Sequence, residues 1–468
     1  MLVPARRWTV RHLLAVTMVA VLIPGLRANA QEAGGRQGWT PALQLQYRAI
    51  QGTAISPDGQ LIAYVVRTPL VEGEQSKYLS HIWLASADGA RDNQFTRGEA
   101  STGSPRFSPD GSMLAFTSSR SDTSQVWVMP VGGGEAWRVT GAAEGVGSFA
   151  WSPDGSRIAY TMRNPDSEAV ATAKKEKRWV ERVDQDYEYA HLYVADVGDG
   201  GGQPGEAARL TEGDFHVSSF DWSPDGQHIV FSHAPDPRLN TNSIISDISL
   251  VGVSDGEVTP LVTLAGVERS PRFSPDGRWV AFVASGEQAE PIGLGDVWLV
   301  SPRGGQPFQL ANTPNRSANM LGWTSDGRTV LVSEAVGTAQ HVIGVPSTGD
   351  PARILTQGDG VHRGVSVAAG SDRIAFTYEN TELAPDVYVA DIDAYARSRV
   401  TDVHADVPRP TMGRTELLRW ESDDGTPVEG LLTYPVDYEE GRLYPMVLNV
   451  HGGPAGAFSR AFTGAAST

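Results

Sequence analysis

The sequence repeats one short turn between strand-like stretches, and this repetition limits the folds that the chain can adopt. The tetrapeptide Ser-Pro-Asp-Gly occurs five times, and two degenerate copies follow. The spacings from one turn aspartate to the next are 52, 44, 71, 51, 50 and 46 residues. Pro sets φ at the first corner, Asp bonds to the nearby backbone, and Gly accepts the positive φ that reverses the chain. The copies are Ser56–Gly59, Ser108–Gly111, Ser152–Gly155, Ser223–Gly226, Ser274–Gly277, Thr324–Gly327 and Gly370–Arg373.

A second pattern, a polar residue followed by an apolar strand, also occurs seven times. Its copies are His81–Leu84, Gln125–Val128, His191–Val194, Asp247–Leu250, Asp296–Leu299, His341–Gly344 and Asp386–Val389. Many repeats then end on a Leu-Thr-like edge strand, as in Arg209-Leu210-Thr211. Repeats of this length bury their apolar faces against one another, and a closed ring leaves only short sheet edges. The two counts predict an all-β fold, a seven-bladed β-propeller, across residues 31–410.

The 71-residue interval predicts an insertion in the third blade. Residues 167–189 are rich in Ala, Lys, Glu and Arg, which favours a helix within about residues 165–190. The basic run 174–178 is typical of a solvated helix face. An alternative hypothesis makes the insertion a flap that presents acids to the free amine of a substrate. The candidate acids are Glu181, Asp184, Asp186 and Glu188.

The pattern changes near residue 410. Pro408-Arg409-Pro410 ends the repeats, and a predicted hairpin follows with its turn at Asp423-Asp424-Gly425. Tyr444–Val450 is apolar except for Asn449, which predicts a strand buried on both faces of a parallel sheet. The turn His451-Gly452-Gly453-Pro454 follows that strand directly.

A Gly-rich turn after a buried strand suits acyl-transfer chemistry. The tetrahedral intermediate carries an oxyanion, and one backbone N–H donor stabilises it by about 3–4 kcal/mol. Glycines allow the backbone to approach closely, and α/β-hydrolases take one donor from such a turn. His451, Gly452, Gly453 and Pro454 are therefore predicted to form an oxyanion-hole turn. The alternative is a structural Gly-rich turn with a capped histidine.

Together, the Ser-Pro-Asp-Gly repeats, the hairpin and the strand ending in His451-Gly452-Gly453-Pro454 resemble the prolyl oligopeptidase family of serine peptidases. The similarity is greatest to the branch of acylaminoacyl peptidases and bacterial dipeptidyl peptidases, although TolB-like propellers share the repeats. The resemblance implies a propeller that selects substrates by size. It also implies an α/β-hydrolase domain that carries a Ser-Asp-His triad, with the serine in Gly-x-Ser-x-Gly.

The sequence departs from that family at its C-terminal end. Gly-x-Ser-x-Gly occurs once, at Gly252–Gly256 within the repeats, and it does not occur in residues 411–468, where Ser459 and Ser467 lie in other contexts. Residues 413–468 number 56, whereas a complete α/β domain needs on the order of 150–250. We therefore expect residues 411–468 to hold the first strands of an α/β-hydrolase domain in a C-terminally truncated chain, with the triad beyond residue 468. No catalytic residue is predicted within the 468 residues.

The first 30 residues predict a signal peptide. Arg6, Arg7 and Arg11 precede an apolar stretch, and Ala28-Asn29-Ala30 is a cleavage site. We expect export to the periplasm or medium, the alternative being an uncleaved anchor. Without residues 1–30, which hold four Arg and no acid, the formal net charge of the chain is −17 − 4 = −21. Such a charge disfavours nucleic acid and anionic membranes as partners.

Other chemistries find little support in the sequence. The chain has no cysteine, which excludes disulfides and a thiol nucleophile, and its ten histidines show no metal-ligand spacing. No cofactor or metal is predicted. Two hypotheses remain: a serine peptidase acting on short peptides, and a non-catalytic TolB-like propeller that binds peptides or proteins. A homo-oligomer is compatible with both.

Overall fold

The computed structural model describes residues 38–180, 187–201, 203–286, 294–452 and 456–462. Most of these residues form strands, so the predicted β-rich fold is confirmed. The predicted signal peptide lies outside the described residues. Three helices are present among them: α1 (Pro41–Gln44), α2 (Glu168–Lys175) and α3 (Leu239–Asn242).

Twenty-eight strands form four-stranded antiparallel units along the described chain. The first three units are β1 to β4 (Ala49–Ile55, Leu61–Glu72, Gln75–Ser86, Asp92–Gln94), β5 to β8 (Thr102–Phe107, Met113–Ser121, Thr123–Pro130, Trp137–Arg138) and β9 to β12 (Phe149–Trp151, Arg157–Arg163, Ala190–Asp196, Ala208–Arg209). Next come β13 to β16 (His216–Trp222, His228–Ala234, Asp247–Gly252, Val258–Val262) and β17 to β20 (Glu268–Phe273, Val280–Ala284, Asp296–Val300, Phe308–Gln309).

The last two units share one sheet. They are β21 to β24 (Asn319–Trp323, Thr329–Val336, Ala339–Pro346, Arg353–Ile354) and β25 to β28 (Val361–Val367, Arg373–Glu379, Asp386–Asp391, Ser398–Arg399). A single parallel bridge between Gln340 and Val361 connects them. Within every unit the strands are hydrogen-bonded in chain order. We number these sheet units one to seven.

The Ser-Pro-Asp-Gly turn joins the first and second strands of a unit and is closed by its own side chains. In the first copy, the Ser56 hydroxyl donates to Asp58 Oδ1 at 2.5 Å and accepts the Leu61 N–H at 2.9 Å. Asp58 Oδ1 also accepts the N–H of Gln60 at 3.0 Å. Gly59 has a φ of +71°, where a Cβ would be strained. The copies at Asp110, Asp154, Asp225 and Asp276 repeat these bonds.

The turns also contact one another from unit to unit. A Cβ built on Gly111 would lie 3.5 Å from Cδ of Pro57 in the preceding unit, and Gly155 approaches Pro109 in the same way. Later contacts in the series are Gly226 with Pro153, Gly277 with Pro224, and Gly327 with Pro275. Ser325 N–H donates to Asp372 at 3.0 Å, and Gly370 N–H donates to Pro57 O at 2.9 Å. The last turn therefore contacts the first.

The Leu-Thr ending has a clear structural role. The threonine hydroxyl accepts the N–H that follows the polar residue of the third strand, for example Leu192 N–H to Thr211 Oγ1 at 2.9 Å. The same bond joins Val126 to Thr140 and Val342 to Thr356. A side chain thus replaces the strand partner at a point where the fourth strand has ended.

The apolar core lies between neighbouring sheet units. Phe116, Phe231, Phe282 and Phe376 are fully buried, all on second strands. Ile62 and Tyr64 of the first unit pack in one cluster with Ala375 and Val387 of the seventh. Each sheet therefore buries both faces, which explains why its second and third strands are continuous apolar runs.

The insertion and the tail differ from the predictions in part. The described part of residues 167–189 is helical only in α2, which Ser167 caps by accepting the Val170 N–H at 3.3 Å. The predicted hairpin is present as β29 (Thr415–Glu421) and β30 (Pro427–Thr433). The strand predicted at Tyr444–Val450 is not formed: these residues are coil without strand pairing. No described strand lies beside them to satisfy their backbone groups and cover their side chains.

Candidate functional site at the tail-facing end

The tail marks one end of the sheet units as the candidate functional surface. Arg460 N–H donates to Thr338 O at 2.7 Å, in the loop between β22 and β23. Phe462 N–H donates to Glu379 Oε2 at 2.9 Å, at the end of β26, and Arg363 of β25 donates to the Ser459 hydroxyl at 3.4 Å. First strands begin and second strands end at this side, and the Ser-Pro-Asp-Gly turns lie at the other. We call it the tail-facing end.

The predicted oxyanion-hole turn is only partly described. His451 and Gly452 are exposed, and Gly453 and Pro454 lie outside the described residues. The His451 ring contacts Phe458 edge-on with centroids 5.9 Å apart, and its Nδ1 lies 3.5 Å from Gly452 O. The geometry of the turn as an anion site is not tested, and its role stays a prediction.

Of the four acids predicted in the insertion, only Glu188 is described, since Glu181, Asp184 and Asp186 lie outside the described residues. Glu188 Oε1 is 3.3 Å from Lys174 Nζ, and Oε2 is 3.6 Å from an Arg163 nitrogen. Lys174 also contacts Asp166 at 2.8 Å. These half-exposed pairs contribute little to stability, but they already supply cations to Glu188. The role of the four acids as amine ligands stays a prediction.

An open pocket of about 640 Å³ lies next to this insertion at the tail-facing end. Its wall includes Val146, Met162, Arg163 and His216. His216 Nδ1 accepts the Ala190 N–H at 3.1 Å, so the proton of the neutral ring resides on Nε2. Burial, and then the Arg163 charge, lower the pKa of His216. The ring is therefore a neutral hydrogen-bond donor in a pocket of mixed lining, in which Val146 and Met162 lie among polar residues such as Glu144 and Ser148.

The sequence analysis missed this pocket, and little in the sequence could have found it. His216 begins β13 without any motif, and Met162 and Val217 look like ordinary strand residues. They come together because the ends of β10, β11 and β13 meet, which is a tertiary property.

A second cavity, of about 330 Å³, lies where the seventh sheet unit meets the linker after Thr401. Tyr47 lies in its wall, with ring centroids 5.1 Å from His404 and 5.4 Å from Phe462 of the tail. The Tyr47 hydroxyl donates to Pro408 O at 3.3 Å. This cavity therefore joins the start of the described chain, the linker and the tail.

Several buried or half-buried histidines occupy repeated or hydrogen-bonded positions in the sheets. His81, His191 and His341 occupy the same place in the first, third and sixth units, one residue before the N–H that a threonine accepts. Burial lowers the pKa of all three, to about 4 for His191. His362 contacts Gln340 O at 2.7 Å and the Tyr395 hydroxyl at 2.6 Å through its two nitrogens. Across the described ranges, His, Asp and Glu side chains form no group of three suited to a metal ion.

No helix in the described part of the chain combines the length and the apolar character that a membrane crossing requires.

Comparisons with known proteins agree with this architecture. Residues 47–186 match the TolB beta propeller domain. The chain is 26% identical to dipeptidyl-peptidase 5 of Porphyromonas gingivalis, over 95% of this chain and 68% of that protein. It is also 26% identical to the uncharacterized peptidase YuxL of Bacillus subtilis, over 85% of this chain and 64% of that protein.

Solved structures give the same picture of the fold. An acylaminoacyl peptidase of Pyrococcus horikoshii superposes with a TM-score of 0.71 at 17% identity, over 92% of this chain and 65% of that one. A puromycin-hydrolyzing peptidase of Mycobacterium tuberculosis superposes with a TM-score of 0.66 at 15% identity, over 91% and 66% of the two chains. The chain thus spans about two thirds of the length of the proteins it matches.

Proposed function

Because this chain belongs to the prolyl oligopeptidase family of peptidases, we propose that it serves an exported serine peptidase that hydrolyses short peptides through an acyl-enzyme. The observation that carries this proposal is the position of the tail. Residues 459–462 are bonded to the same end of the sheets that holds the peptide-sized pocket and the helical insertion. A catalytic domain that continues from the tail would face these features.

In this proposal the seven sheet units are the blades of one propeller, which limits access to the catalytic domain by size. The contacts between successive turns, ending with Gly370 on Pro57, support a closed arrangement. The shared cluster of Ile62, Tyr64 and Ala375 supports it from the core.

Residues 411–468 begin the catalytic domain in the same proposal, with His451 to Pro454 supplying an oxyanion donor. The one Gly-x-Ser-x-Gly of the sequence, Gly252–Gly256, lies at the turn between β15 and β16 and not in residues 411–468. The nucleophile, and with it the Asp and His, is therefore assigned to a part of the gene product not included in the 468 residues. The names of the relatives suggest two substrate classes, dipeptidyl and acylaminoacyl peptides. The acids of the insertion favour the first if they bind a free amine.

The test uses the complete gene product. A fluorophosphonate probe should label one serine, and labelling should abolish the release of p-nitroaniline from dipeptidyl or acetyl-aminoacyl substrates. In the same protein, Gly452→Ala should lower kcat at least about tenfold with KM nearly unchanged. The Cβ that this substitution adds has no other atom within 4 Å in the described part of the chain. Joint replacement of Glu181, Asp184, Asp186 and Glu188 by their amides should raise KM only for substrates with a free amine.

The outcomes separate the two hypotheses that the sequence left open. Labelling and hydrolysis support the peptidase. The peptidase hypothesis would be overturned if the purified complete product binds peptides but is not labelled by the fluorophosphonate probe and hydrolyses neither substrate class. That result would favour a TolB-like binding propeller. The match to the TolB model is compatible with both, so only the chemistry decides.

A further inference from the structure

Two identical octapeptides place an arginine at one position of the inner strands. Ser-Pro-Arg-Phe-Ser-Pro-Asp-Gly occurs at residues 104–111 and 270–277, in the second and fifth sheet units. Arg106 and Arg272 each stand two residues before the serine of a Ser-Pro-Asp-Gly turn. The third charged residue at this position is Asp221 of the fourth unit. Units one, three and six have small residues there, Ala54, Ala150 and Gly322. In the seventh unit the equivalent residue by strand register is Ser366, which pairs with Ala375 as Arg106 pairs with Ala115.

In the proposed propeller these residues line the central lumen, the space that the first strands enclose. First strands contact one another between units: β1 contacts β5 and β25, and β17 contacts β13 and β21. The first strands of all but the third unit have an irregular register just before this position, as between Gly103 and Arg106. Such bulges turn side chains away from the regular faces of a sheet. Ser104 and Ser270 take the strained φ values of +51° and +54° at these bulges.

The Arg106 side chain is open to solvent and at the same time surrounded by protein, as expected for a side chain in a lumen. Arg106 is exposed to solvent, yet desolvation by the surrounding protein lowers its pKa, and the charge of Arg272 lowers it further. The second and fifth units are not neighbours. The two guanidinium groups can therefore influence each other only across the space that the first strands enclose.

Neither guanidinium has an ion pair within the described ranges. Arg106 donates only to Pro105 O at 3.2 Å, and Arg272 donates to Pro271 O at 2.8 Å and Phe220 O at 3.3 Å. Asp221 accepts the Phe273 N–H at 2.9 Å and forms no ion pair with a guanidinium in the described ranges, although the charge of Arg272 partly offsets the rise that burial causes in its pKa. Other arginines of the sheets do pair, as Arg316 does with Asp296 at 2.6 Å. Two unpaired cations thus face one lumen in a protein whose net charge is −17.

We propose that Arg106 and Arg272 form an oxyanion-binding site in the lumen, which holds the carboxylate of a peptide or a free phosphate. Guanidinium groups bind carboxylate and phosphate with two parallel hydrogen bonds, and a lumen with low-dielectric walls strengthens that attraction. The small residues at Ala54, Ala150 and Gly322 leave room for the anion. Burial raises the pKa of Asp221, and the two guanidinium groups give the site a net positive charge whether or not this carboxyl is ionised. The site does not depend on the peptidase activity.

The experiment measures anion binding to the complete gene product at constant ionic strength. The probes are inorganic phosphate, N-acetyl-β-alanine and its amide, titrated by calorimetry and by the shift in Tm. We expect saturable binding of the two anions and none of the amide. Arg106→Gln and Arg272→Gln should each weaken binding about tenfold or more. Arg278→Gln, the same change on an exposed turn 3.9 Å from Asp276, is the matched control and should leave binding unchanged.

The free protein gives a second signature that a purely structural role would not show. Without anion, Arg106→Gln should unfold at the same or a higher temperature, because it removes a repulsion. Tighter binding of the acetylated amino acid than of phosphate assigns the site to peptide carboxylates, and the reverse order assigns it to free phosphate. Anion binding of wild-type strength in both variants, or equal binding of acid and amide, would overturn the proposal.

Discussion

Two apolar stretches of similar composition have different structures in this chain. Val280–Ala284 is strand β18, and its side chains are at most 1% exposed. Met446, Val447 and Leu448 are 75%, 92% and 78% exposed, in a segment without strand pairing. β18 has hydrogen-bonded neighbours on both sides, β17 and β19, and the tail segment has none among the described strands. Apolar composition therefore specifies a buried strand only where other strands exist to flank it.

The largest expected difference between the two regions is in protease sensitivity. We expect chymotrypsin to cut the 468-residue chain first within residues 438–448, where Leu443 is 97% exposed. Cleavage in the sheets requires an opening that costs several kcal/mol, so it should be on the order of 10³-fold slower. Mass spectrometry of the early fragments measures this.

A first cut between residues 49 and 400 would contradict the comparison. The complete gene product sharpens it, because catalytic-domain strands on either side of Tyr444–Val450 should protect the segment there.

The second prediction compares single side chains of the two regions. Phe282→Ala should lower the free energy of unfolding by about 3–5 kcal/mol, since Phe282 is fully buried between sheets. Leu448→Ala should change it by less than about 0.5 kcal/mol in the same chain. Urea unfolding followed by tryptophan fluorescence compares the two variants.

Equal losses would show that the tail packs as tightly as the sheets. In the complete product, Leu448→Ala should instead cost about 2–5 kcal/mol, as an ordinary core leucine does.

The third prediction concerns two buried carboxyl groups in the sheets, one with several hydrogen-bond donors and one with a single donor. Glu334 and Glu268 are both fully buried. Glu334 accepts from Thr313 Oγ1 at 2.7 Å and from the N–H groups of Asn315 and Ser317 at 3.1 and 2.5 Å. Glu268 accepts only the Leu264 N–H at 3.3 Å, and its Oε1 has no partner in the described ranges. Burial, with a smaller effect of Asp247, raises the pKa of Glu268 to about 8.

A raised carboxyl pKa means that the folded state holds a proton which the unfolded state loses. Glu268 therefore reduces stability progressively as pH rises from about 4.5 to about 8. We expect Glu268→Gln to raise Tm at pH 8 and to flatten its dependence on pH across that window. Glu334→Gln should lower stability by about 1–3 kcal/mol at pH 7, because an amide offers one acceptor oxygen where three donors now share two. Parallel pH profiles of Tm that are identical for wild type and Glu268→Gln would refute this account.

The features that could be predicted from the sequence are those that depend on residues close together in the chain, such as the turns. Ser56, Asp58 and Gly59 specify their turn without help from distant residues, and six further copies at regular spacing imply stacked sheets. The hairpin at Asp424 was predicted for the same reason, and it forms even at the exposed tail.

Tertiary features could not be predicted in this way. The strand at Tyr444–Val450 depends on neighbours, and α2 ends at Lys175 although the helix-favouring composition continues beyond it. His216 lines a pocket only because separate units meet, and the contacts between the first strands of different units are likewise tertiary. The histidines at the repeated polar position looked scattered in the sequence, and only the Thr bond at each strand end shows their common role.

The smallest expected effect on stability concerns one type of turn, which occurs both in the sheets and in the tail. Asp154 accepts the Ser152 hydroxyl at 2.5 Å and the Ser156 N–H at 3.0 Å, and Asp424 makes the same bonds with Ser422 and Thr426. These bonds lower the pKa of both carboxyl groups to about 2. Asp154→Ala should lower stability at pH 7 by about 1 kcal/mol, because the turn closes a sheet that unfolds cooperatively. Asp424→Ala is the matched control and should leave the main unfolding transition unchanged.

The sign of the pH effect follows from the lowered pKa. Asp154 contributes its full stabilisation above about pH 3.8 and loses it as pH falls towards about 2. Thermal unfolding at pH 7 and at about pH 2 should therefore show a Tm difference between wild type and Asp154→Ala that shrinks in acid. A loss of equal size from Asp424→Ala would mean that the hairpin unfolds together with the sheets, and the distinction between the two regions would fail.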